Sequence, residues 1–111
     1  METKVIDAEK KLGSISVFGD LDGSTSPTLL KEIEEMIGQG TTNIILDFTE
    51  IEFISSSGIG VIAVSSKDIS QRQGKLIVVC SNKKVLSLFD ITNLSKVITV
   101  FKTMDEALAA V

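Results

Sequence analysis

Short apolar runs alternate with helix-like segments along most of this chain. The clearest runs are NIILDF, KLIVVC and VITVF, at residues 43–48, 75–80 and 97–101. A continuous run such as KLIVVC is typical of a strand that is covered on both faces of a sheet. Strands that alternate with helices pair in parallel through right-handed crossovers. The alternation therefore predicts an α/β fold with a mostly parallel sheet.

The first twenty residues follow a different pattern. Val5–Ile6 and the run GSISVFG at residues 13–19 indicate two short strands, and the polar AEKKLG between them indicates a hairpin. The predicted order is β-β-α-β-α-β-α-β-α, a mixed sheet of about five strands with about four helices. The length suits one domain, so we expect a single domain over residues 1–111.

Capping residues indicate where three of the helices begin. The segment DGSTSP at residues 22–27 combines hydroxyl caps with a proline suited to a first helical turn. Ser81 or Asn82 precedes a short helix. Thr103, followed by Glu106, forms a capping-box pattern before the last helix. These caps therefore place helices after the second, fourth and fifth strands of the predicted order.

The remaining helix contains the sequence GIGVIA at residues 58–63, and its predicted apolar face consists of Ile59, Ile62, Ala63 and Ile69. GIGVIA matches the dinucleotide pattern G-x-G-x-x-A, but that motif belongs directly after a first strand and needs an acidic residue at the end of the next one. Here the next strand ends in Cys80. The glycines are better explained by a close approach to something large, and a small nucleotide-binding protein stays as the alternative from another class.

Charge and aromatic content argue against nucleic acid and membrane partners. The net charge is −4, the pI is about 4.7 and the chain has no Trp or Tyr. Phosphate backbones and anionic membranes both attract basic surfaces. No apolar run reaches the ~20 residues of a membrane span, and the N-terminus lacks the apolar region of a signal peptide. The single cysteine, Cys80, predicts a buried, reduced thiol, so we expect a cytoplasmic protein.

The side chains available for chemistry are few. The chain has no histidine, which removes Ser–His–Asp and Cys–His catalysis and most zinc sites. Asp20 and Asp22 in GDLDG are either solvated turn formers or part of a site. Asp47 ends a predicted strand, where α/β folds place their sites, but it could equally cap a turn. We therefore expect no enzyme activity, no metal site and no cofactor.

Three consecutive serines stand out in FISSSGIGV at residues 53–61. One serine suffices to cap a helix, so three exceed that need. A serine at a helix N-terminus beside glycines is also accessible to phosphorylation, and the helix dipole tolerates the phosphate. The phosphate adds nearly two negative charges to a surface that is accessible to a partner. Modification there could switch binding without refolding the domain.

The chain resembles the STAS-domain anti-sigma factor antagonist family. The resemblance rests on GDLDGSTSPTLLKEI, NIILDFTEIEFISSSGIGVI and GKLIVVCSNKKVLSLFDITNLSKVITVF. It implies a small α/β domain that works by partner switching. In that mechanism the unmodified protein binds an anti-sigma factor serine kinase and so frees the sigma factor. Phosphorylation of a serine at the start of the second helix releases the protein, and a PP2C-type phosphatase restores it.

By position, the resemblance places the phosphoacceptor at Ser57, with Ser56 or Ser55 less favoured. Ser55 stands where the family most often has aspartate, and Asp22 aligns with a recurrent aspartate near the phosphoacceptor. The predicted partner-binding residues are Asp20, Asp22, Ser55, Ser56, Gly58, Ile59 and Gly60. We expect a monomer or a weak dimer. The alternative within the family is an accessory or scaffold subunit, of a stress-signalling assembly or a lipid-transport complex, that is not phosphorylated.

Overall fold

The computed structural model of the chain describes residues 1–111. The strands are β1 (Glu2–Asp7), β2 (Leu12–Ser16), β3 (Gly19–Leu21), β4 (Asn43–Asp47), β5 (Ile51–Ile54), β6 (Lys75–Val79) and β7 (Thr99–Phe101). The helices are α1 (Ser26–Gly38), α2 (Ser56–Gln71), α3 (Lys83–Ile91) and α4 (Met104–Ala109), with a 3-10 turn at Leu94–Lys96. No helix has the length and apolar character needed to cross a membrane.

Five strands form the main sheet in the order β1-β2-β4-β6-β7. The β1–β2 hairpin is antiparallel, and the other three pairs are parallel. The register aligns Ile15 with Leu46 and Leu46 with Val78 across the three central strands. The predicted mixed, mostly parallel sheet of five strands with four helices is confirmed.

A second, two-stranded parallel sheet was not predicted. It pairs β3 with β5, and we call it the ribbon. The predicted single strand at 13–19 is wrong, because the chain leaves β2 after Ser16 and turns at Gly19, whose φ is +70°. The strand β5 at Ile51–Ile54 was not predicted, and α2 begins at Ser56, two residues before the GIGVIA sequence. Strands of three and four residues are too short to show a period, so only their pairing defines them.

Most of the core lies on one face of the main sheet, under α1, α2 and α3. Ile15, Leu46 and Val78 project into this core and are at most 1% exposed. Cys80 also lies there, so its predicted burial is confirmed, and this burial raises the pKa of its thiol. The opposite face carries a smaller cluster that includes Ile45 and Ala107 of α4. The ribbon therefore joins the larger of the two cores.

The buried face of α2 differs in part from its prediction. Ile62 and Ile69 are fully buried and Ile59 is partly buried, as predicted. Ala63 is exposed, and Ser65 is buried instead. The buried stripe runs at three- and four-residue steps through small polar residues that the apolar pattern does not mark.

The predicted caps of α3 and α4 are confirmed. Asn82 Oδ1 accepts hydrogen bonds from the N–H groups of Lys84 (3.0 Å) and Val85 (3.3 Å). The Asn82 amide also donates to the Ile51 carbonyl (3.3 Å), so this cap links α3 to the ribbon. Thr103 accepts from the Glu106 N–H at 3.1 Å, as in a capping box.

Candidate functional site

The ribbon brings two distant loops to one edge of the molecule. Because β3 and β5 are parallel, Leu21 pairs with Ile54, and the residues that follow them leave the ribbon side by side. The Ser55 N–H donates to the Leu21 carbonyl at 2.8 Å. A Cβ placed on Gly23 would lie 4.0 Å from Ser57 Oγ. The GDLD loop and the serine run are therefore neighbours, and we call this edge the serine edge.

Asp22 organises the loop on one side of the serine edge. Its Oδ1 accepts from the Ser24 hydroxyl (2.8 Å) and from the N–H groups of Ser24 (3.0 Å) and Thr25 (3.2 Å). These bonds, the Ser24 hydroxyl first, lower the pKa of Asp22 below its ordinary value. The Thr25 hydroxyl accepts from the Asp22 N–H at 2.8 Å, which closes the turn from the other side. Asp22 is thus a turn former that remains partly exposed, whereas Asp20 is exposed and its side chain makes no hydrogen bond.

Ser55 and Ser57 pair with each other at the start of α2. Ser55 is the N-cap residue in an extended conformation, but its side chain bonds no backbone N–H. Instead its Oγ lies 2.8 Å from Ser57 Oγ. The first helical bond runs from the Ile59 N–H to the Ser55 carbonyl, so the three preceding N–H groups have no helical partner. Ser56 and Ser57 are exposed, and Ser55 is half-buried.

The two glycines of α2 have different surroundings. A Cβ on Gly58 would lie 2.8 Å from Ile54 Cγ1 and 2.9 Å from Leu21 Cγ. Gly58 is therefore buried, and the absence of a side chain allows α2 to pack closely against the ribbon. The close approach that the sequence predicted for this glycine is thus made to another part of the same chain. Gly60 is exposed with open space around it, and Ile59 is partly buried beside it. Both glycines lie inside α2, so they form no phosphate-cradling loop before a helix.

The segments that contain and flank the serine edge are acidic. Residues 17–27 and 47–64 contain no Lys or Arg. They contain five carboxylates: Asp20, Asp22, Asp47, Glu50 and Glu52. Asp47 accepts from the Thr49 N–H at 3.1 Å and from the Thr49 hydroxyl, so it closes its own turn. These two segments carry only negative charge, and the exposed Lys83 and Lys84 directly follow Asn82, which bonds to the ribbon from α3.

Other features of the molecule lie away from the serine edge. No group of three or more His, Cys, Asp or Glu residues could hold a metal ion. The largest cavity, about 530 Å³, is an open groove along α2 between Ala63 and Gln71, with Val97 in its lining. None of its lining residues belongs to the serine edge.

Thr25, predicted only as a helix cap, closes the Asp22 turn. Its position three residues after an aspartate is the sequence signal for such a turn.

Relatives named as anti-sigma factor antagonists align with most of the chain. It is 33% identical over 88 residues to the anti-sigma-B factor antagonist of Listeria monocytogenes, which spans 78% of this chain and 75% of the relative. It is 28% identical over 97 residues to the anti-sigma-F factor antagonist RsfB of Mycobacterium tuberculosis, covering 87% of this chain and 79% of RsfB.

Solved structures share the fold. The crystal structure of TM1081 from Thermotoga maritima superposes with a TM-score of 0.90 at 25% identity, covering 99% of this chain and 92% of TM1081. Unphosphorylated SpoIIAA superposes with a TM-score of 0.77 at 20% identity, over 98% of this chain and 94% of SpoIIAA. The STAS domain family model matches residues 5–107. With its mixed sheet and its serine edge, the chain belongs to the STAS-domain family of anti-sigma factor antagonists.

Proposed function

We propose that the unphosphorylated chain binds an anti-sigma factor serine kinase at the serine edge and so frees a sigma factor. Phosphorylation of Ser57 by that kinase then releases the chain, and a PP2C-type phosphatase restores it. The names of the Listeria and Mycobacterium relatives support an anti-sigma factor as partner. On this proposal the chain is a regulatory binding protein, a substrate of a kinase and not itself an enzyme.

The strongest support for this proposal comes from the surroundings of the Ser57 hydroxyl. Ser57 is exposed, and the only hydrogen bond of its Oγ is to another serine hydroxyl. It lies in the first turn of α2, where unpaired N–H groups and the helix dipole stabilise a phosphate. Phosphorylation is thus compatible with the fold. SpoIIAA in its phosphorylated form superposes on this chain with a TM-score of 0.74 at 23% identity, which concerns the fold alone.

The acidic surroundings explain why a phosphate on Ser57 weakens binding. The serine edge has no cation in its own segments that could neutralise two added charges. A partner that complements the existing carboxylates leaves the phosphate unmatched, and burying an unpaired charge costs several kcal/mol. A cost of about 2.8 kcal/mol weakens binding about a hundredfold.

Ser55 favours a second candidate within the same family. It stands at the position where family members most often have aspartate, and it pairs with Ser57 without contributing a charge. A kinase that needs a carboxylate there would leave the chain unmodified. The chain would then act as an accessory or scaffold subunit that uses the same edge to bind its partner.

A phosphorylation assay separates the two candidates. The wild-type chain and the Ser57→Ala, Ser56→Ala and Ser55→Ala variants are incubated with the cognate kinase and ATP, and the peptides are analysed by mass spectrometry. We expect phosphate on Ser57 in every chain except Ser57→Ala. Phosphate on Ser55 or Ser56 alone contradicts the assignment of Ser57, and no phosphate on any of the three favours the accessory subunit.

A further inference from the structure

Two of the five phenylalanines are exposed, and both belong to the ribbon region. Phe48 and Phe89 are at most 1% exposed, and Phe101 packs against the smaller core. By contrast, Phe18 is 50% exposed and Phe53 is 51% exposed. Phe18 directly precedes β3, and Phe53 lies within β5. The exposed aromatic side chains thus lie in or directly before the two ribbon strands.

The ribbon has an inner and an outer side. The paired Leu21 and Ile54 point inward and are at most 1% exposed. The preceding pair, Asp20 and Phe53, points outward. The inward pair packs into the main core, so the outward aromatic ring is not needed for that packing. Exposed aromatic rings with a polar surround are typical of protein interfaces.

The charges around these rings limit what can cover them. Asp20, Glu50 and Glu52 are exposed on or next to the ribbon, and residues 17–27 and 47–64 contain no cation; the flanking cations are Lys83 and Lys84 of α3, which directly follow Asn82. A second copy of this chain would bring the same carboxylates face to face, which is repulsive. Anionic lipid and nucleic acid are disfavoured for the same reason. The complementary partner is a protein with an apolar recess that is bordered by Lys or Arg.

We propose that Phe18 and Phe53 are the apolar anchors by which the chain docks into a basic-rimmed recess of its anti-sigma factor. This inference rests on the proposed function and names the residues that supply affinity. Ser57 lies four residues after Phe53, beside the loop that follows Asp20. Phe53 therefore lies in the strand that leads to Ser57, and a phosphate there is added next to the apolar contact that its ring makes, whereas Phe18 lies at the start of the ribbon.

The test measures the affinity of each chain for every purified anti-sigma factor of the source organism by isothermal titration calorimetry. The variants are Phe53→Ser, Phe18→Ser and the conservative Phe53→Leu. Ile91→Ser is the matched control, because Ile91 is an exposed apolar residue at the end of α3. Melting temperatures are recorded for all chains to separate folding from docking.

We expect Phe53→Ser to weaken binding by about tenfold or more, as for an aromatic interface anchor, with Phe18→Ser in the same direction. Phe53→Leu should recover most of the affinity, and Ile91→Ser should bind as the wild type does. Added salt should weaken the wild type and Phe53→Ser in parallel, because both retain the carboxylates.

Three other results overturn the inference, and they differ from one another. If the wild type binds an anti-sigma factor and Phe53→Ser binds it equally well, the anchors are wrong while the proposed function stands. If the wild type binds none of the anti-sigma factors, the proposed function fails and the named partner with it. If sedimentation instead shows a tight dimer that Phe53→Ser disperses, the occupant is a second copy of the chain.

Discussion

The main sheet and the ribbon are built on different principles. The strands β4 and β6 of the main sheet each have five residues, most of them apolar and buried against helices. The ribbon strands have three and four residues, and they are held by pairing, by Gly58 beneath them and by the Asn82 amide at their side. The main sheet thus stabilises the fold, whereas the ribbon positions the residues of the serine edge. The serine edge follows directly from the ribbon, so its geometry depends on a few specific contacts.

The largest expected effect lies in the main core. Ile62 of α2 is fully buried there. Ile62→Ala should lower the free energy of unfolding by roughly 2–5 kcal/mol, because it removes buried methyl groups and leaves a cavity. Denaturant titration measures the loss. Val64→Ala, at a position 62% exposed on the same helix, should change it by under about 0.5 kcal/mol. A loss below that limit for Ile62→Ala means that the helix register is wrong.

Gly58 and Gly60 form the next test, which concerns how α2 rests on the ribbon. Gly58→Ala should destabilise by about 1–3 kcal/mol, because its Cβ meets Ile54 and Leu21 at close range. Gly60→Ala should be neutral or stabilising by up to about 1 kcal/mol, because its Cβ meets open space in a helix. Thermal and chemical denaturation measure both. Equal effects of the two substitutions would show that the ribbon does not need the close approach.

Asn82 tests the link between α3 and the ribbon. Asn82→Ala loses the helix cap and should cost about 0.5–2 kcal/mol. Asn82→Asp keeps the cap oxygen but cannot donate to the Ile51 carbonyl, so it should recover most of that stability. The Ser55 N–H is bonded to the Leu21 carbonyl, so the rate of its amide hydrogen exchange measures the stability of the ribbon separately from that of the helix cap. Unchanged exchange in Asn82→Asp would mean that the side-chain amide does not support the ribbon.

Substitution of Asp22 should have the smallest effect on stability, and this effect is measured best by varying the pH. Its pKa is lowered in the folded chain, so the folded chain binds this proton less readily than the unfolded chain. The stabilisation by Asp22 is therefore present above about pH 4 and is lost as the pH falls through the lowered pKa. Melting temperatures should fall more steeply with acid in the wild type than in Asp22→Asn, which lacks this titration. Parallel curves would show that the turn does not depend on the charge.

The sequence predicted what depends on repeating patterns. The apolar runs around Ile45 and Val78 and the caps at Asn82 and Thr103 are local signals, and they led to the correct sheet and helices. The ribbon was missed because β3 and β5 are too short to show a period. The partners of Gly58 and the exposure of Phe53 follow from that pairing, so they could not be read before the fold was known.

The central claim is that one phosphate on Ser57 switches partner binding. The direct measurement is the affinity of the anti-sigma factor for the wild-type chain, for the chain phosphorylated at Ser57 and for Ser57→Ala, under identical salt conditions. We expect equal affinity for the wild type and Ser57→Ala, and binding about a hundredfold weaker for the phosphorylated chain. Equal affinity of the phosphorylated and unphosphorylated chains would contradict it.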